Sequence, residues 1–270
     1  MELLFVRRSF LRIIKNPSFI AVKLLWLTIF VYGCAGQAIV YPDSLSEKTS
    51  AAISGPVAED DVLSAVVHIN LTTPDGYYPT KAALILKKPS YLRLEILPVI
   101  GTPDFFLAAS PEKMSIFIPS KGKFYYGQPT GANLRKFIPW PLNIEDIVMI
   151  FSGTYPSLKE DDITYQNYRE KNLLRIEMKA PSGCSQIIRV GEQDRLLKLI
   201  RNDKTGKEVY TVTYLYDEVQ GSLPKKITVS MADGVTSLSV KFLDVKIEKA
   251  TDLSMFDLPM PADVNAILLN

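Results

Sequence analysis

From Val62 onward the chain alternates apolar and polar residues with a period of two, and the pattern returns in segment after segment as far as Lys249. In VLSAVVHINLT, Leu63, Ala65, Val67, Ile69 and Leu71 share one face, while Ser64, His68, Asn70 and Thr72 share the other. That spacing is a strand with one face buried. Further strands are read at Tyr77 to Lys87, Tyr91 to Leu97, Pro103 to Ala109, Lys113 to Ile118 and Gly122 to Gly127. A second run covers Leu173 to Lys179, Ser185 to Gly191, Leu196 to Asn202, Glu208 to Val219, Lys226 to Met231 and Val235 to Lys249. The turns between them, such as TPDG, KKPS and PSKGK, are too short for a parallel crossover, so the pairing is antiparallel.

Between the two runs the period changes. Asn143 is an N-cap, Glu145 and Asp146 suit the first turn of a helix, and Gly153 is placed to end it. Ile144, Ile147, Val148 and Phe151 then form one apolar stripe at i, i+3, i+4 and i+7. A shorter helix with Leu134, Phe137 and Ile138 ends at Pro139. The last strand changes apolar phase from Leu238, Val240 and Phe242 to Leu243, Val245 and Ile247, which predicts a bulge near Phe242. The fold class expected is α+β: a curved antiparallel sheet forming an unclosed half-barrel of about eleven strands, with helices on the concave side. A closed barrel or a sandwich, with the helices as a lid, is the alternative.

The N-terminus has a different character. The first 33 residues hold Arg7, Arg8, Arg12, Lys15 and Lys23 against Glu2 alone, followed by an apolar run from Leu24 to Gly33 that is too short to cross a ~30 Å hydrocarbon core. Residues 1–33 read as an export signal, with an uncleaved anchor helix from Phe19 to Val40 as the alternative. Val31-Tyr32-Gly33-Cys34 resembles the bacterial lipobox, which implies diacylglycerol on the Cys34 thiol and an N-acyl chain on the new amino terminus. Two or three chains at ~0.8 kcal/mol per buried methylene anchor a protein stably. Ala35 after the cysteine, rather than aspartate, favours the periplasmic face of the outer membrane. Residues 34–60 read as a tether with one short helix candidate between Ser44 and Gly55, and residues 61–270 as the folded body.

Removing the first 33 residues turns the formal charge of +2 into about −2. Nucleic acid is not an expected partner, since it requires a concentrated basic face. His68, the single histidine, lies on the polar face of its strand, and Cys184 is left without a partner once Cys34 carries lipid. No metal set or nucleophile with a base follows from such residues, and no other cofactor is expected. The pairs Asp60-Asp61 and Asp161-Asp162 read as solvated turns, so the chain is not expected to be an enzyme.

Three stretches in order, YLRLEILPVIGTPDFFLAAS, KFIPWPLNIEDIVMIFSGTYP and LPKKITVSMADGVTSLSVKFLDVKI, resemble the outer-membrane lipoprotein receptors of the LolB and LolA-like family. The resemblance implies an open barrel whose helices close over a hydrophobic cavity for acyl chains, with Ile144, Ile147, Val148 and Phe151 on the cavity helix. It implies acylated lipoproteins, a periplasmic LolA-like carrier and outer-membrane lipid as partners. In LolB one loop ends in Asn-Pro-Leu-Gly, and its leucine is held to help deliver lipids to the membrane. Here Pro98, Val99, Ile100 and Gly101 occupy that place, with Ile100 at the leucine. The alternative is a lipid-anchored scaffold of the same fold, its interior filled by side chains and with tyrosines such as Tyr125, Tyr126, Tyr214 and Tyr216 available to a partner.

Overall fold

Strands joined by turns of a few residues fold back beside one another, so two runs of them make two meanders. The computed structural model describes residues 39–41, 53, 55–138, 142–170, 172–217 and 223–270. The first meander is β2 (Asp61–Thr73), β3 (Gly76–Lys87), β4 (Tyr91–Leu97), β5 (Phe106–Ala109), β6 (Met114–Ile118) and β7 (Lys123–Gly127), preceded by the short β1 (Ile39–Tyr41). The second is β8 (Thr164–Glu170), β9 (Leu173–Lys179), β10 (Ser185–Val190), β11 (Leu196–Asn202), β12 (Glu208–Leu215), β13 (Lys226–Met231) and β14 (Ser237–Lys249). They merge where β14 lies antiparallel to β2, from Ser237 opposite Thr72 to Lys249 opposite Asp61. β1 extends one end of the sheet by pairing with β8, and β15 (Asn265–Leu269) extends the other, parallel to β7.

The result is one large, curved, unclosed sheet whose outermost strands are β1 and β15. The register slips between Phe242 and Asp244, where the change of apolar phase predicts a bulge. Along β2 and β3, Leu63, Val67, Leu84 and Leu86 are buried on the same face, each contributing roughly 1.5–3 kcal/mol.

Two helices sit between the meanders, α1 (Gly131–Arg135) and α2 (Ile144–Phe151). The Asn143 side chain accepts the Asp146 N–H at 2.8 Å and so caps the first turn of α2. Gly153 ends α2 at φ +80°, and a Cβ there would stand 3.0 Å from Pro56 and Pro224. Ile144, Ile147, Val148 and Phe151 are all buried, as their spacing requires.

Three expectations are corrected. The described residues hold fifteen strands rather than about eleven, and the fold is mostly β rather than α+β. The helices are too few and short to roof the whole sheet: the backbone of α2 lies closest to β4 and β3, and its side chains meet the curling sheet on the other side. The unread strands are those with little alternation. β8 is TYQNYRE, polar on most positions, β15 follows a proline-containing segment, and β1 lies within the stretch read as tether. The body also takes in Ile53 and Val57, both buried, ahead of residue 61. The helix candidate at Ser44, the stop at Pro139 and the lipobox at Cys34 lie outside the described residues.

The segment between β14 and β15 crosses the outer face of the sheet. Phe256 packs on Tyr91 with ring centroids 5.2 Å apart, and Arg93 donates to the Met255 carbonyl at 2.9 Å. This strap is what allows β15 to arrive parallel to β7.

Candidate functional site: an apolar cavity and the loop at its rim

Not all of the buried face of the sheet is filled. A cavity of about 260 Å³ lies between the sheet and the helical segment. Its floor is made by alternate residues of neighbouring strands: Ile69 and Leu71 of β2, Thr80 and Leu84 of β3, Leu92, Leu94 and Ile96 of β4, and Leu238 and Val240 of β14. Its wall is Ile147 and Phe151 of α2 with Phe137 and Ile138 just after α1. Thr80 and Tyr78 alone bring polar atoms to this lining, and no ionisable carboxylate or amine does. Such a surface attracts hydrocarbon and holds water poorly. The volume lies just under the ~300–1,000 Å³ of ordinary ligand pockets, which suits part of one acyl chain rather than several whole ones.

Of the four residues of the helix stripe, the structure puts Ile147 and Phe151 on the cavity and Ile144 and Val148 in the packed core beside it. Sequence reasoning did not single out the strand residues of the floor, although their position on the apolar face of β2 and β4 was the clue available. Phe105, also in the lining, carried no such clue, since it stands in an irregular stretch before β5.

The loop after β4 begins at the cavity. Ile96, in the lining, donates its N–H to the carbonyl of Phe105 at 3.0 Å and so forms the neck of the loop. Asp104 braces the base by accepting from the Ser120 N–H at 2.7 Å and the Ser120 hydroxyl at 2.6 Å. Beyond this neck Val99 is 102 % exposed and Ile100 90 % exposed. Gly101 follows at φ +98° with open space around it. The apolar tip therefore projects into solvent instead of folding under the sheet. Lys81 pairs with Leu97, so residues 76–80 of β3 continue past the end of β4 on the same rim, where Tyr77 and Tyr78 are also exposed.

One polar cluster interrupts the buried face. Arg201 of β11 donates to the buried Gln186 of β10 at 2.9 Å and pairs in register with the buried Tyr210 of β12. Asp146, on the first turn of α2, faces Arg201 and Tyr210. Burial raises the Asp146 carboxyl above its ordinary value of 3.8, and Arg201 offsets this only in part. Below 3.8 the folded and unfolded forms are both protonated; as pH rises the unfolded chain ionises first, and stability falls until the folded carboxyl ionises too. Asp146→Asn should therefore make the protein more stable near neutral pH, with the gain vanishing toward about pH 4. Urea denaturation at the two pH values measures it.

His68 is exposed, and Cys184 is a free thiol, half-buried. Among the described residues no helix is long and apolar enough to cross a membrane, and no cluster of His, Cys, Asp and Glu could hold a metal ion.

No protein-family model matches this chain, and no curated protein does. Solved structures share its fold. A domain from Vibrio parahaemolyticus, described as an outer membrane lipoprotein-sorting protein, is 12 % identical over 80 % of this chain and 97 % of its own, with a TM-score of 0.56. A DUF1329 family protein from Desulfovibrio piger is 14 % identical over 80 % of this chain and 97 % of its own, with a TM-score of 0.58. A LolA superfamily protein from Nitrosomonas europaea is 15 % identical, with 80 % and 96 % covered and a TM-score of 0.48. The chain thus shares the fold of the Vibrio and Desulfovibrio structures. Identities this low speak for the fold, and function has to be argued from the site.

Proposed function

We propose that this chain is a lipid-anchored protein of the outer membrane that takes acyl chains of lipoproteins into its cavity and helps insert them into that membrane. The observation that carries the reading is the apolar lining itself: two faces of hydrocarbon, sheet and helix, with the gap between them unfilled. Transfer then exchanges one apolar environment for another, requires no bond to be made or broken, and makes the chain a binding protein rather than an enzyme. The exposed tip at Pro98, Val99, Ile100 and Gly101 is the part that enters the bilayer, and its neck leads directly to the cavity floor. Residues 1–33 act as the signal, Cys34 carries the anchoring lipid, and the stretch before the body gives it reach from the periplasmic face. A soluble LolA-like carrier is the donor in this scheme. The Vibrio domain of the same fold, described as lipoprotein-sorting, supports this choice of cargo.

The modest volume favours a second reading, an envelope scaffold of the same fold that carries no cargo. Native mass spectrometry of the body separates the two. Retained lipid or acylated peptide supports the receptor, and a consistently empty protein supports the scaffold.

A further inference from the structure

On the outer face of the sheet, away from the cavity, the register sets one kind of residue side by side across four strands. Lys226 of β13 stands opposite Lys241 of β14, Lys241 opposite His68 of β2, and His68 opposite Lys81 of β3. Neighbouring strands are ~4.8 Å apart, and like charges directly opposite each other are destabilising. Lys81, His68 and Lys241 are exposed and Lys226 is half-buried. Among the described residues none of the three lysines has an ion pair, whereas basic residues next to the row or further along β14 do: Lys225 with Asp217, Lys246 with Glu248 and Lys249 with Asp61. The closest carboxylates on this face do not serve the row, since Glu95 is held by Arg93 at 2.7 Å and Asp244 stands past the bulge opposite Val66. Nor does the row follow from a generally basic chain, because the sequence beyond residue 33 is slightly acidic.

The row has a direction. Its next member is Leu97, opposite Lys81, and Leu97 leads straight into Pro98, Val99 and Ile100. Beside it lie Thr228, Ser239 and Asn70, also in register, and the exposed Tyr77 donates its hydroxyl to the Asn70 side chain at 2.9 Å, so an aromatic ring with a polar tip borders the row. Unpaired cations that end at a fully exposed apolar tip match a surface with negative groups outside and hydrocarbon behind them. An acidic protein would satisfy the lysines but would leave the tip in water.

We infer that Lys81, Lys241 and Lys226 form a docking surface for anionic phospholipid headgroups, which seats the body on the membrane with the loop tip inserted. This rests on the proposed role of the loop. Each lysine near an anionic leaflet is worth about fivefold in docking, so removing three charges should lower the docked population roughly a hundredfold. Salt should do the same, as it screens exposed charges.

The test uses the full chain carried in vesicles of phosphatidylcholine, with or without phosphatidylglycerol, on a Cys184→Ala background. A fluorophore is placed on His68→Cys, exposed between Lys241 and Lys81, or, separately, on Ile100→Cys, and a lipid-borne quencher reports contact. Quenching at position 68 is expected only with phosphatidylglycerol, and is expected to disappear in high salt and in the combined Lys81→Gln, Lys226→Gln, Lys241→Gln variant. Quenching there that ignores phosphatidylglycerol, or that survives the triple change, overturns the inference. If position 100 is quenched and position 68 never is, the loop reading stands and the docking surface falls. If position 68 responds and position 100 does not, the loop reading falls and the surface stands. A triple variant that docks normally yet no longer accepts lipoprotein from a soluble carrier assigns the row to an acidic protein, and that too overturns the inference.

Discussion

Leu94→Glu is expected to abolish hydrocarbon binding while leaving the sheet folded. Leu94 lies at the centre of the cavity floor, between Leu84 of β3 and Leu107 of β5 in register, and it is only half-buried because the cavity lies in front of it. A carboxylate there cannot lose its water without a cost of several kcal/mol or more, so it brings water in. Each methylene thereby denied to an acyl chain removes about 0.8 kcal/mol. Losing the contacts of even about five methylenes weakens binding by ~4 kcal/mol, roughly a thousandfold. Titration with a fluorescent acyl probe gives the affinity, and a thermal melt confirms the fold. Leu107→Glu is the contrasting case, because Leu107 is fully buried with no cavity before it and should unfold the protein. Wild-type affinity in Leu94→Glu would remove the cavity from the account.

The second large effect separates function from stability. Ile100→Glu changes a side chain that touches almost nothing, so stability should move by no more than about 0.5 kcal/mol. Entering a bilayer, by contrast, Val99 and Ile100 would each contribute roughly 1.5–3 kcal/mol, and a glutamate in place of one reverses its sign. Lipoprotein insertion should stall with Ile100→Glu as the sole copy, while cargo still binds in the cavity. Normal insertion by that variant would count against the loop.

What could be read from the sequence follows from where burial is one-sided. β2, β4 and β14 as far as Phe242 alternate clearly because one face meets the core and the other meets water, whereas past the bulge Leu243, Val245 and Ile247 keep the alternation in sequence but stand exposed. α2 was legible for the same reason, with a cap on Asn143 and a stripe of four apolar residues. β8 was not, because its inward positions include Asn167 and Tyr165 and its outward ones Gln166 and Tyr168, so polarity does not mark the faces. β15 depends on the strap that carries the chain over the outer face, a tertiary event with Phe256 and Arg93 at its centre. The cavity shows the same limit. Its floor residues look like any core residues, since a side chain's sequence position says which face it joins and nothing about whether that face is covered. The cluster of Asp146, Arg201 and Tyr210 is of the same kind, three residues far apart in the chain and brought together by α2 lying on the sheet. The loop tip was the reverse case: Pro98, Val99 and Ile100 were conspicuous in sequence, and only the structure shows that they stand in solvent.

The most direct measurement is photo-crosslinking with a lipoprotein whose acyl chains carry a diazirine, followed by mapping of the adducts on this chain. The account predicts adducts on cavity residues, Leu94, Ile96, Ile147 and Phe151 foremost. Adducts confined to the outer face of the sheet, or none at all from a lipoprotein that binds, would contradict it.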